Sequence, residues 1–304
     1  MKKVLIFNVF LILLLVGFSF YVRNLFLPVS TDNKSVDFLI TKGSSVAQIG
    51  NKLESSGLLR SGIVFKFYVQ LTNSQSKIQA GEFQLSPNLS LVQILDQLKK
   101  GPKEIWVTIP EGLRREEVAI KFAKTLGKDN EFIKEFLTLT AGKEGYLFPD
   151  TYLFPKFATA TQIVNKLTLT FERKIGDITF EQVIMASLLE RETFSDSEKP
   201  IVAGVLYKRL ENDWPLQVDA TLQYIKGDWK PVYSIDKEIK SPFNTYKNLG
   251  LPPSPIASAG LTSLEAAKNP ESSDYWYYIH DDKGTIHFAK TLEEHNVNIQ
   301  KYLN

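Results

Sequence analysis

The sequence predicts an α+β protein: one amino-terminal transmembrane helix, a small module of β-turn-helix units, and a larger mixed domain behind it. Three observations predict this. An uncharged apolar run opens the chain, short β-like runs alternate with helical apolar spacing up to about residue 127, and two aromatic β-rich runs flank a tight turn near the end. The 304 residues allow about two domains. With 43% apolar and 23% charged residues the composition is that of a globular protein.

Val4 to Val22 carries no charge and at 1.5 Å per residue spans roughly 28 Å, close to the hydrocarbon thickness of a bilayer. Lys2 and Lys3 precede it, which predicts an amino terminus in the cytoplasm and the rest of the chain outside the cytoplasmic (inner) membrane. A cleaved signal peptide is the rival reading. It calls for an apolar core of about 7–15 residues and a small-residue cleavage site, whereas this run ends Gly17-Phe-Ser-Phe-Tyr-Val22. Apart from Lys2, Lys3 and Arg23, basic and acidic residues nearly balance at 33 and 34, so no basic stripe points to nucleic acid. There is no cysteine, which excludes disulfides, thiolate nucleophiles and Cys-ligated zinc.

Residues 1–36 thus read as cytoplasmic tip, anchor (about 4–22) and polar tether. Three units of one shape come next. Phe38-Leu-Ile40 precedes a turn and then Val46, Ile49 and Leu53. Gly81 to Leu85 precedes Leu91, Ile94, Leu95 and Leu98. Trp106 to Ile109 precedes Leu113, Val118, Phe122 and Leu126. Ser45 and Ser90 are predicted helix N-caps, and each unit closes near a glycine. The first unit, with a second helix over Ile63 to Leu71, resembles the LysM type of glycan-binding module, so residues 37–103 read as LysM-like or as a structural spacer. Residues 104–304 form the second domain. In it Asp274 to His280 and Thr285 to Phe288 predict a hairpin around Asp281-Asp-Lys-Gly284, and Leu292, Val297, Ile299 and Leu303 a final helix.

The helix over Glu181 to Thr193 carries the chemistry. At 100° per step Glu192 falls at about 80°, among Ile184, Met185, Leu188 and Leu189, while Glu190 falls at about 240°, on the face expected to meet water. A carboxyl on an apolar face either pairs with a cation or keeps its proton, its pKa raised by desolvation. A proton held near neutral pH suits a glycosidic general acid. A helix that ends before Glu192, or a buried Arg or Lys partner, is the structural alternative. A second helix is predicted after a short link, with Ser197 as N-cap and Pro200 in its first turn.

These residues carry a resemblance. Met185-Ala-Ser-Leu-Leu-Glu-Arg-Glu-Thr193 resembles the signature of the endolytic murein transglycosylases (the MltG-like or YceG-like family). Glu144 to Tyr152, Val205 to Leu210, Leu216 to Thr221, Ser241 to Tyr246 and Gly250 to Ile256 resemble its other segments in order. Phe243 and Ala220 depart from the usual Tyr and Pro. The resemblance implies a lytic transglycosylase with Glu192 as its catalytic acid. It would cleave the MurNAc-GlcNAc bond within nascent glycan strands, leave 1,6-anhydro-MurNAc ends and limit strand length.

The expected substrate-binding residues are Gln217, Asp219, Asn244, Tyr246, Glu144 and Tyr152, because sugars present hydroxyl and amide edges that need matched polar groups. Tyr146, Tyr152 and Tyr224 either stack on sugars or pack in the core, Glu144 and Asp150 either orient loops or join the site, and the Pro252-Pro253 loop is expected to shape the cleft wall. The expected partners are peptidoglycan glycan strands, the cell membrane and, by resemblance, wall-synthesis enzymes (penicillin-binding proteins). No cofactor is expected, and the dispersed His280, His287 and His295 suggest no metal. The alternatives are a muramidase-type hydrolase of the same bond, with Asp219 activating water, and a non-catalytic wall-binding scaffold.

Overall fold

A computed structural model describes residues 2–303, with side chains from residue 8 onward. Helix α1 (Lys2–Phe26) opens the chain. Its stretch Asn8–Phe26 is long and apolar enough to cross a membrane, and none of that stretch is buried in the protein. It outruns the predicted Val4–Val22 because nothing breaks a helix before Pro28, which disfavours helical backbone in the residue ahead of it. The Lys2 and Lys3 side chains, on which the expected orientation rests, lie outside the described side chains.

The polar stretch after α1 is tied down. The Arg60 guanidinium donates twice to the Pro28 carbonyl, Ser30 N–H donates to the Pro87 carbonyl, and Ser86 Oγ donates to the Asp32 carbonyl.

The chain then forms β1 (Val36–Ile40), α2 (Val46–Ser55), α3 (Gly62–Leu71), β2 (Gly81–Leu85) and α4 (Leu91–Lys100). Strands β1 and β2 pair antiparallel with Phe38 opposite Phe83, and alternate residues face a core of Leu53, Phe65, Val69, Leu85, Leu91 and Leu98. Ser45 and Ser90 cap α2 and α4 as predicted, each in a reciprocal box with Gln48 or Gln93. Helices α2 and α3 touch backbone to backbone at Gly50 and Gly62: a Cβ on Gly62 would stand 2.5 Å from the Gly50 carbonyl.

Beyond lie β3 (Glu104–Thr108), α5 (Arg115–Leu126), α6 (Asn130–Leu139), β4 (Thr151–Pro155), α7 (Ala160–Ile175), α8 (Phe180–Glu192), α9 (Lys199–Glu211), α10 (Asp219–Lys226), α11 (Leu261–Lys268), β5 (Tyr277–His280), β6 (Ile286–Ala289) and α12 (Leu292–Tyr302). Two compact units result: Met1–Ile105 with Leu153–Phe157, and Trp106–Tyr152 with Ala158–Asn304. Strands β3 and β4 pair with each other, and the unit boundary falls within both.

In the second unit α8 is the core helix. Every residue from Val183 to Leu189 is buried, with α11, α9 and α10 packed around it. The predicted hairpin is present, with Tyr278 opposite Phe288. The Asp281 carboxylate accepts from the Lys283 and Thr285 N–H groups, and Gly284 takes the left-handed backbone the turn requires (φ 77°).

Candidate active site

Helix α8 starts at a Thr179 N-cap boxed with Gln182 and stops at Glu192, where Thr193 turns extended. Glu198 fixes the link between α8 and α9. Its carboxylate accepts from Phe194 N–H and from the Ser195 backbone and hydroxyl, and its second oxygen meets His280 Nε2 at 2.7 Å. Glu198, rather than the predicted Ser197, is the N-cap of α9. Its side chain serves the preceding link and makes no cap bond.

So held, Glu192 faces a cleft of about 470 Å³ lined by Arg209, Gln217, Asp219, Lys237, Tyr246, Tyr277, Tyr278, Ile279, Leu292 and His295. The residue is half-buried. Tyr278 donates its hydroxyl to Glu192 Oε2 at 3.1 Å. Burial pushes the Glu192 carboxyl up to about 7. The Tyr278 hydroxyl pulls it down, Asp219 pushes it further up, and the Ala220 N–H and Arg209 pull it down.

Opposite, Tyr246 donates its hydroxyl to Asp219 Oδ1 at 2.5 Å. Gln217 adopts left-handed backbone (φ 54°), unusual for a residue with a side chain, while its N–H donates to the Thr245 carbonyl. Arg209, 6% exposed, joins both walls: it donates to the Leu216 carbonyl and, through two nitrogens, to the Trp276 carbonyl. Lys237 Nζ lies 4.5 Å above the Tyr246 ring.

Four of the expected site residues therefore meet: Glu192, Gln217, Asp219 and Tyr246. Three do not line the cleft. Asn244 is fully buried. It donates to the Lys237 and Ile239 carbonyls and accepts from Tyr246 N–H, so it shapes the loop beneath Tyr246. Glu144 is buried with its carboxylate on Arg115 N–H, and burial pushes it up to about 7. Tyr152 is buried and donates to the Phe148 carbonyl.

Tyr146 and Tyr224 pack on Phe171 and Phe243, and Asp150 pairs with Lys174 at 2.9 Å. The Pro252-Pro253 loop is not among the cleft-lining residues; farther along it, Ile256 N–H donates to Ser187 Oγ in the middle of α8.

Glu190 does not face water. Its side chain is 9% exposed, accepts from Gly260 N–H and Ser263 Oγ, and lies 3.7 Å from Lys199. The helical wheel misplaced it because α11 and the turn before it pack over that side of α8, where the wheel assumed solvent. Tyr278, Arg209 and Lys237 escaped the sequence reading. Within the unbroken aromatic run Tyr275 to Tyr278, alternation cannot say which ring turns toward the cleft.

The sequence matches the model of the YceG-like family over residues 38–301. The chain belongs to the YceG-like family. A Bacillus subtilis (strain 168) protein named endolytic murein transglycosylase is 34% identical over 95% of this chain and 91% of its own length. A Streptococcus pneumoniae serotype 2 protein of the same name is 29% identical over 99% of this chain, which spans 65% of that relative. A 2.6 Å crystal structure of a YceG-like protein from Listeria monocytogenes superposes with a TM-score of 0.57 at 31% identity, covering 88% of this YceG-like chain and 99% of the other.

Proposed function

We propose that this YceG-like chain is a membrane-anchored endolytic transglycosylase that cuts the MurNAc-GlcNAc bond within nascent peptidoglycan strands. The observation that carries the reading is Glu192: a half-buried carboxyl at about pKa 7, fixed at a helix end on a cleft of ligand-binding size. Its relatives are named for this activity.

In the proposed reaction Glu192 starts protonated and donates to the glycosidic oxygen as the C1–O bond breaks. The resulting carboxylate takes the proton from the muramyl 6-hydroxyl, whose oxygen attacks C1 and closes the 1,6-anhydro ring. Proton and bond counts balance with one carboxyl and no water. Tyr278 steadies Glu192 through both steps. Asp219, oriented by Tyr246, supplies negative charge beside the cationic C1. Gln217 and Lys237 are the proposed hydrogen-bonding partners of the sugars.

Asp219 also favours a second reading, in which it activates water and the enzyme is a muramidase. Product mass separates the two, because hydrolysis adds one water per cut. With the wild-type chain and nascent glycan strands, we expect anhydro-ended fragments. Glu192→Gln should release none while staying folded. Retained cutting by that variant removes Glu192 from the role, and hydrated ends from the wild type establish the muramidase.

The anchor supports an extracytoplasmic second unit with the amino terminus inside, where it meets new strands beside penicillin-binding proteins. The β1-α2-α3-β2 module is proposed as a LysM-like glycan-binding unit.

A further inference from the structure

Helix α3 is apolar on two sides. Its sequence, Gly62-Ile-Val-Phe-Lys-Phe-Tyr-Val-Gln-Leu71, contains only Lys66 and Gln70 as strongly polar side chains. Phe65 and Val69 fill the core of the first unit and are fully buried. On another face Ile63, Phe67 and Leu71 stand 64%, 58% and 82% exposed. At i, i+4 and i+8 they make one continuous row along the helix. Single exposed apolar side chains are ordinary; an aligned row of three large ones on a helix whose other face is already buried calls for a covering surface.

The neighbourhood says which surface. Tyr68 packs edge-on against Phe26, the last residue of α1, at 5.3 Å between ring centroids. At the start of α3, Arg60 holds the Pro28 carbonyl just beyond α1 with two hydrogen bonds. Helix α3 is therefore fastened to the end of the apolar stretch Asn8–Phe26. Phe67 adjoins Tyr68 in sequence and Leu71 lies about one helical turn beyond it, so this part of the row sits on the same stretch of α3 that meets the end of α1. Arg23 in the last turn of α1, Arg60 just ahead of α3 and Lys66 within it supply positive charge near the junction, against the Glu54 carboxylate that accepts from Gly62 N–H.

We propose that α3 is a second membrane contact: its Ile63-Phe67-Leu71 row enters the outer leaflet beside the end of α1, with Lys66 reaching back to the headgroups. The proposal rests on α1 being the membrane anchor. It makes the first unit seated on the lipid surface rather than swinging on a tether. Interfacial helices of this kind sink their apolar face roughly 5–10 Å into the boundary between headgroups and acyl chains.

The chain has no cysteine, so one introduced thiol can be labelled alone. The full chain, carrying Phe67→Cys with an environment-sensitive fluorophore, is reconstituted in phosphatidylcholine–phosphatidylglycerol vesicles. Quenchers are placed either on the acyl chains or in the water. The expected result is a blue-shifted label that acyl-chain quenchers extinguish and aqueous iodide does not. Ile63→Cys serves as an independent second position and should behave alike. Quenching by iodide at both positions overturns the proposal, since the row then faces water. Protection from both quenchers also overturns it, because a protein surface then covers the row. Leu14→Cys tests the anchor separately. If it is lipid-quenched while positions 63 and 67 are not, only the α3 contact fails; if it too escapes lipid quenching, the anchor fails with it.

Discussion

Two opposed sets of neighbours tune Glu192. Burial and Asp219 favour the neutral acid, while the Tyr278 hydroxyl, the Ala220 N–H and Arg209 favour the carboxylate. Removing one donor therefore has a definite sign. Tyr278→Phe keeps the ring and deletes the hydrogen bond to the charged form, so the Glu192 pKa rises. The alkaline fall of activity, expected near pH 7 in the wild type, should then move to higher pH in a pH–rate profile. A purely structural defect would lower the rate and leave that limb in place.

Glu190 offers the contrast. Its side chain, 9% exposed, is bonded to Gly260 and Ser263, with Lys199 at 3.7 Å. Glu190→Gln leaves Lys199, 6% exposed, paired with Asp196 at 2.9 Å and near Glu111, so the cost is mainly that of weakening the charge-assisted bonds to Gly260 and Ser263, about 1–3 kcal/mol in urea unfolding. The two acids of one motif thus divide between holding the helix and facing the cleft. Their sequence positions alone assign that division wrongly for Glu190, because a wheel presupposes a solvent face. For Glu192 the wheel and the family resemblance point to the same residue. Tyr278 was hidden because it reaches the cleft from a hairpin distant in sequence, and Arg209, though inside a resembling segment, because its helix does not say which way its side chain turns.

At the scale of elements, what depends on a few adjacent residues was legible. Ser45 and Ser90 cap their helices because serine three residues ahead of glutamine can satisfy two end groups within one turn. Ser90→Ala should cost about 1 kcal/mol, measured by chemical denaturation. Ser197 fails as a cap because the first helical bond of α9 runs from Val202 N–H to the Glu198 carbonyl, one residue later, and the Glu198 carboxylate is occupied by the link and by His280. The approach of α2 to α3 was equally hidden. Gly62→Ala would gain helix propensity worth about 1 kcal/mol, yet its methyl would meet the Gly50 backbone at 2.5 Å. Net destabilisation of about 1–3 kcal/mol is the expected outcome in thermal unfolding.

For the molecule as a whole, the same burial that suits Glu192 to acid chemistry costs stability. Glu192 and Glu144 both sit near 7 when folded, against an ordinary 4.5. The folded state binds more protons between those values, so their contribution falls as pH rises from about 4.5 to about 7. Glu117, Asp150 and Glu198 are shifted downward, and what they contribute is lost only as pH falls below the ordinary carboxylate range. Stability should therefore peak in mildly acidic solution. Glu192→Gln should be more stable than the wild type at pH 8, by roughly 1–3 kcal/mol, and the gap should close toward pH 4.5.

The α+β character and the hydrophobic first helix were readable from pattern. The passage of β4 from one unit to the other was not, because Leu153–Phe157 joins its unit through contacts remote in sequence.

Central to the account is a carboxyl at the end of α8 that keeps its proton near neutral pH. Carbon-13 NMR of glutamate-labelled chain, recorded from pH 3 to 9 for the wild type and Glu192→Gln, reads that proton directly. A carboxyl resonance that titrates near pH 7 and vanishes in the variant is the predicted result. If the resonance lost on substitution titrates near 4.5, Glu192 is an ordinary solvated carboxylate and the account is contradicted.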